Sequence, residues 1–141
     1  MKKILVPVDG SDNALRAVEY LLKLTADFNV ETVHLVNIQD ALHSLEIQEG
    51  WTAEQCAAAR QRAGDAALSA ARRRLDTTGI PYTAETLTGP VALTIVNLAR
   101  ELKCDLIVMG TRGMGAIGNL LLGSVAGKVV QLTEVPVMLV K

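Results

Sequence analysis

At 141 residues the chain has the length of one domain: enough to bury most of the surface its unfolded form exposes, too little for a second core. Half of the residues are hydrophobic, 21% are charged and the formal net charge is −1, a balance that argues against disorder and against a long-range electrostatic pull on nucleic acid. One domain spanning residues 1–141, with one site and no nucleic-acid partner, is the expectation.

Met1-Lys2-Lys3 followed by Ile4 to Val8 opens like a signal peptide, but Pro7 and Asp9 cut the apolar run short of a secretory core. No later segment approaches the length of a membrane span, so a cytoplasmic protein with no membrane partner is expected. Ile4 to Val8 reads as a first strand ending at Asp9-Gly10-Ser11. Ser11 has the chemistry to cap a helix from Asp12 to about Phe28, with Ala14, Leu15, Val18, Leu21, Leu22 and Thr25 as its buried stripe.

Thr32 to Ile38 reads as a second strand, containing His34 as a hydrogen-bonded sheet residue rather than a ligand. Gln39 to Gly50 has no clean period and is a candidate mobile loop. Thr52 to about Thr77 is an alanine-rich helix, stopped by Thr78-Gly79-Ile80-Pro81. Its Arg72-Arg73-Arg74 reads as a solvated face. Cys56 in this helix and Cys104 before a later strand form no CxxC pattern, and both read as reduced structural thiols.

Tyr82 to Leu87 alternates as a third strand. Gly89-Pro90 starts a helix carrying Leu93, Ile95, Val96, Leu98 and Ala99, with proline in its first turn. Leu106 to Met109 is a fourth strand, followed by a glycine-dense run, a helix to about Leu132, and a last strand within Val135 to Lys141. Strands alternating with helices predict an α/β protein, a doubly wound five-stranded parallel sheet with helices on both faces. In such sheets ligands bind beyond the carboxyl ends of the strands, where strand order reverses. Asp9, Ile38, Gly89 and Gly110 fall at such ends.

Three nucleotide-site readings compete for the glycine run. Gly113-Met114-Gly115-Ala116-Ile117-Gly118 matches GxGxxG, but it starts past the strand, and no carboxylate side chain follows at the distance a ribose contact needs. Gly118 to Ser124 resembles a P-loop lacking its lysine, so the phosphate clamp of that class is missing. The third reading uses the spacing Gly110-x2-Gly113-x9-Gly123-Ser124, directly after a strand and running into a helix N-terminus. Glycines there let backbone amides approach phosphate oxygens, the amides of Gly123-Ser124-Val125 favour an anion, and Ser124 adds a hydroxyl donor.

With this spacing the chain resembles the universal stress protein family. The resemblance runs through Ile-Leu-Val-Pro-Val-Asp-Gly-Ser at the start, Leu-Ile-Val-Met-Gly-Thr-Arg-Gly, Leu-Leu-Gly-Ser-Val, and the closing Val-Pro-Val-Met-Leu-Val-Lys. It implies strand order 3-2-1-4-5 and an ATP or related adenine-nucleotide site. Pro7, Val8 and Asp9 would contact ribose and adenine, with the Ile38 main chain on the adenine edge and Met109 beside the base or ribose. Gly110, Arg112, Gly113, Gly123, Ser124 and Val125 would surround the phosphates, with Mg²⁺ held by phosphates and water.

No paired carboxylates and no adenylyl-transfer motif accompany these residues, so the expectation is a stress-responsive regulatory module with no catalytic residues and at most slow hydrolysis. A slow ATPase or nucleotidyl transferase is one alternative. The other is an assembly protein with a vestigial or structural nucleotide site. The apolar last strand, Val137 to Val140, would lie at a sheet edge, and a homodimer through it is expected.

Overall fold

The computed structural model describes residues 2–40, 50–113 and 122–141. Its elements alternate along the chain as β1 (Lys2–Pro7), α1 (Asp12–Leu24), β2 (Val30–Gln39), α2 (Ala53–Asp76), β3 (Tyr82–Thr88), α3 (Val91–Glu101), β4 (Leu106–Gly110), α4 (Ser124–Leu132) and β5 (Val137–Val140). The strands form one parallel sheet in the order β3-β2-β1-β4-β5, as expected. The chain moves outward from β1 through β2 to β3, then returns across the sheet to β4. Right-handed crossovers therefore place α1 and α2 on one face and α3 and α4 on the other.

Alternation along the strands feeds both faces. Ile4, Val6, Val33, Leu35 and Val108 pack with Ala17, Val18, Leu21, Leu68 and Leu75 of α1 and α2. Leu5, Val36, Ile107 and Met109 pack with Ile95, Val96, Ala99, Ala126 and Val129 of α3 and α4. A sheet covered on both sides needs apolar residues at successive positions, which explains the near-continuous hydrophobic runs. α2 approaches the sheet so closely at Gly64 that a Cβ there would run into the Thr86 side chain of β3. His34 pairs across β2 and β3 with Thr83, Nδ1 to Oγ1, at 2.7 Å.

Several boundaries differ from those expected. α1 stops at Leu24, short of Phe28, because the Thr25 hydroxyl bonds the Leu22 carbonyl at 2.8 Å and Asp27 and Phe28 turn their amides onto Leu24. Leu15 and Leu22 are only half-buried, and the buried stripe runs instead through Asn13, Ala14, Ala17, Val18 and Leu21. Pro90 is the N-cap of α3 rather than a helical residue: its carbonyl accepts the first helical bond, from the Thr94 amide at 3.0 Å. Leu93 of that helix is exposed.

β1, β2, β3 and β4 take in residues beyond the expected limits, whereas β5 covers Val137 to Val140 as expected, with a hydroxyl-closed turn of Thr133 and Val135 before it. Most of Gln39 to Gly50 lies outside the described residues, as do Gly115 and Gly118 of the glycine run. Both cysteines are buried thiols, Arg72 and Arg73 are exposed, and Arg74 meets Glu19 across the surface at 3.1 Å. Among the described residues no helix is long and apolar enough to cross a membrane.

Desolvation, then the nearby Lys3 charge, lower the pKa of His34 from 6.5, against a smaller opposing effect of Glu85. A depressed folded-state pKa means that the unfolded chain takes up the proton first as pH falls, so stability is present above 6.5 and declines below it. Urea unfolding of the wild type and His34→Gln across that range will show a drop in midpoint at acid pH that is smaller in the variant.

Candidate functional site

The two central strands part company before they end. β1 stays paired with β2 through Pro7 and Val36, and the Val8 amide extends the ladder with a 2.8 Å bond to the Val36 carbonyl. On its other side β1 pairs with β4 only at Ile4–Leu106 and Leu5–Ile107, whereas β4 remains beside β5 to Gly110–Val140. The carboxyl halves of β1 and β4 therefore diverge. The divergence sits where strand order reverses and the crossing connections leave toward opposite faces, which is where doubly wound sheets carry their ligand crevices.

A cavity of about 360 Å³ occupies this crevice, within the range of small-molecule sites. Val36, Ile38, Val91, Ile95 and Met109 give it apolar walls, and Asp9, Arg112, Gly113, Gly123 and Ser124 add polar side chains and backbone. Every residue named as a candidate from the sequence lines it: Pro7, Val8, Asp9, Ile38, Met109, Gly110, Arg112, Gly113, Gly123, Ser124 and Val125.

β1 ends in a turn that shapes the first part of the site. The Asp9 carboxylate accepts the Ser11 amide at 2.9 Å, and Ser11, not Asp9, caps α1 by accepting the Ala14 amide at 3.1 Å. The other Asp9 oxygen faces Gly113, where a Cβ would stand 2.5 Å from it. Asp9 is therefore both a turn carboxylate and a cavity-lining group. Asn37, buried on β2, donates to the Val8 carbonyl at 2.9 Å and receives the Gln39 amide at 3.1 Å. This tie holds β1 to β2 at the level where β1 has left β4.

The glycines on the far side have steric reasons. Gly123 lies against the Thr111 carbonyl, 3.2 Å from where its Cβ would be, and its amide donates to that carbonyl at 2.6 Å. Gly123 is also the N-cap of α4, and as glycine it supplies no side-chain acceptor. The first amides of α4, at Ser124, Val125 and Ala126, thus face the crevice without a side-chain cap. Such a helix start attracts an anion through its amides and its dipole.

The sequence reading missed Ala14, Val36, Val91, Ile95, Thr111 and Ala126 as lining residues. The i, i+4 spacing of Val91 and Ile95 at the start of α3 signals a shared helix face, but only the fold shows which space that face borders. Asn13 was also missed. It is a polar residue one position before the apolar stripe of α1, an irregularity that was visible in the sequence.

A sequence model described as the universal stress protein family matches residues 1–141. The chain belongs to the universal stress protein family. A universal stress protein of Thermus aquaticus is 37% identical over 145 residues, covering 99% of this chain and 98% of the relative. A universal stress protein solved in complex with cAMP is 25% identical with a TM-score of 0.72, the match covering 99% of this chain and 97% of the other. The universal stress protein of Archaeoglobus fulgidus, solved in complex with dAMP, is 25% identical with a TM-score of 0.63 and coverage of 100% and 98%.

In this universal stress protein Asn37→Leu keeps the side chain's bulk but takes the donor from the Val8 carbonyl, while the Gln39 side-chain amide keeps the Arg60 carbonyl. Chemical denaturation will show a loss of about 1–3 kcal/mol, the usual cost of a buried polar group left unpaired, here the Val8 carbonyl.

Proposed function

We propose that this universal stress protein binds an adenine nucleotide, ATP in the first place, in the crevice between β1 and β4, and serves as a cytoplasmic, stress-responsive regulatory module. One observation carries the reading: a cavity with apolar walls suited to a base opens onto a helix start whose amides no side chain caps. The cAMP and dAMP complexes of its relatives support an adenosine phosphate as the ligand class.

In this reading the Ile38 main chain meets the adenine edge, Pro7, Val8 and Met109 pack against base and ribose, and Asp9 accepts from a ribose hydroxyl. Gly110 and Gly113 leave room beside the phosphates, Arg112 lies near them, and the amides of Ser124 and Val125 with the Ser124 hydroxyl receive them. Mg²⁺ would come with the phosphates and keep mainly water and phosphate ligands. The lining groups bind and orient, which fits a switch with slow hydrolysis at most.

Calorimetric titration of ATP with Mg²⁺ tests this. Gly113→Val places carbon against the Asp9 carboxylate and the phosphate path, and is expected to weaken binding about tenfold or more, roughly 1.4 kcal/mol, with an unchanged circular dichroism spectrum. Absence of saturable binding by the wild type rules the reading out.

A second reading, a homodimer joined along β5, has its own observation. The Pro136 and Val140 carbonyls accept the amides of Ile107 in β4 and of Thr111 just after it, so alternation turns the backbone groups of Val137 and Leu139 to the outer edge of the sheet. Leu139 is also exposed, and an apolar edge strand of this kind invites pairing with a second copy. Sedimentation at micromolar concentration should show a dimer. Leu139→Pro, which removes an outward amide and leaves the β4 ladder intact, should give a folded monomer.

A further inference from the structure

Asn13 stands behind the cavity wall, 6% exposed, on the first turn of α1. Its Nδ2 donates to the Val140 carbonyl at 3.0 Å, and its Oδ1 accepts the Arg112 amide at 2.7 Å. One partner can only accept and the other can only donate, so a single orientation of the side-chain amide satisfies both. The Val140 carbonyl also accepts the Thr111 amide at 2.9 Å. One buried side chain thus joins α1, the end of β5 and the turn that leaves β4.

Gly110 provides the space. A Cβ at that position would collide with Asn13 Oδ1 and stand 2.7 Å from its Cγ. The φ of Gly110 lies outside the left-handed range, so its requirement is close approach rather than an unusual backbone conformation. The Arg112 amide, committed to Asn13, is not a donor to any ligand; it orients the peptide that leads into Gly113. The Gly123 amide bonds the Thr111 carbonyl at 2.6 Å, so the start of α4 is hung on the same turn.

We propose that Asn13 is the positioning residue of the phosphate-binding half of the cleft, holding the Thr111-Arg112-Gly113 turn in register with the uncapped start of α4. This rests on the adenine-nucleotide reading above. Asparagine is the side chain of this length that both donates and accepts: aspartate lacks the donor and adds a negative charge beside the phosphates, alanine lacks both groups, and leucine fills the space without bonding.

The test compares AMP and adenosine as separate calorimetric probes on the full chain. The wild type and Asn13→Ala should differ about tenfold in AMP affinity and less than about twofold in adenosine affinity, because the base pocket of Val36, Ile38 and Ile95 does not depend on the turn. Asn13→Asp, which retains the Arg112 contact and the side-chain volume, should also lose AMP selectively and serves if the alanine variant unfolds. Gly110→Ala should weaken AMP as well, and adding it to Asn13→Ala should cost less than in the wild type, since the colliding side chain is then gone and only the 3.2 Å approach to the Asn13 backbone remains.

Equal losses for both probes, or none for AMP, would overturn the proposal. If the wild type binds neither probe, the nucleotide reading itself fails and pyrophosphate becomes the deciding probe. Pyrophosphate binding weakened about tenfold by Asn13→Ala upholds the positioning role, and binding that is absent or unchanged overturns it.

Discussion

The architecture depends on one constraint: β1 cannot stay paired with both of its neighbours to its carboxyl end. Its bonds to β2 continue through Val8, while its pairing with β4 stops at Leu5 and Ile107. The connections from β1 and β4 leave toward opposite faces of the sheet, and none of the described residues bridges the gap they leave. The gap is then finished by whatever the neighbouring loops and helices present to it. Apolar side chains come from β2, α3 and β4, and backbone from the turn after β4 and the first turn of α4.

Holding such a gap open has a structural cost, since strand ends that lack a neighbour need other partners for their backbone groups. Two buried asparagines supply them. Asn37 takes the Val8 carbonyl on the β2 side, and Asn13 takes the Arg112 amide and the Val140 carbonyl on the β4 and β5 side. Both have a donor and an acceptor on a short planar group, so each can join elements that regular ladder bonds no longer connect. The glycines complete the arrangement by absence: Gly110 yields its side-chain volume to Asn13, Gly113 to Asp9 and Gly123 to the Thr111 carbonyl.

This division of labour separates the stiff parts of the cleft from those suited to a ligand. The base-sized walls come from the sheet and from α3, packed into the hydrophobic core through Val36, Ile95 and Met109. The polar end is made largely of main chain, positioned by a few hydrogen bonds and without a helix-capping side chain at α4. In the proposed function such a site would discriminate by shape at one end and by charge at the other.

The sequence by itself determined the alternation of strands and helices, the two-sided burial of the sheet and the glycine spacing around the turn. Each of these is local: hydrophobic period, capping residues such as Ser11 and Thr52, and small residues beside a helix start are all read within one stretch of chain. Helix ends were less visible, because the hydroxyl of Thr25 and the carbonyl of Pro90 settle them through hydrogen bonds that composition does not reveal. Tertiary structure alone decided where β1 and β4 separate, that Val91 and Ile95 border the cavity, and what Asn13 does. The partners of Asn13 lie 99 and 127 positions away in the chain. An interaction across that distance is specified by sheet register and crossover geometry, and neither is written in any window of residues around Asn13.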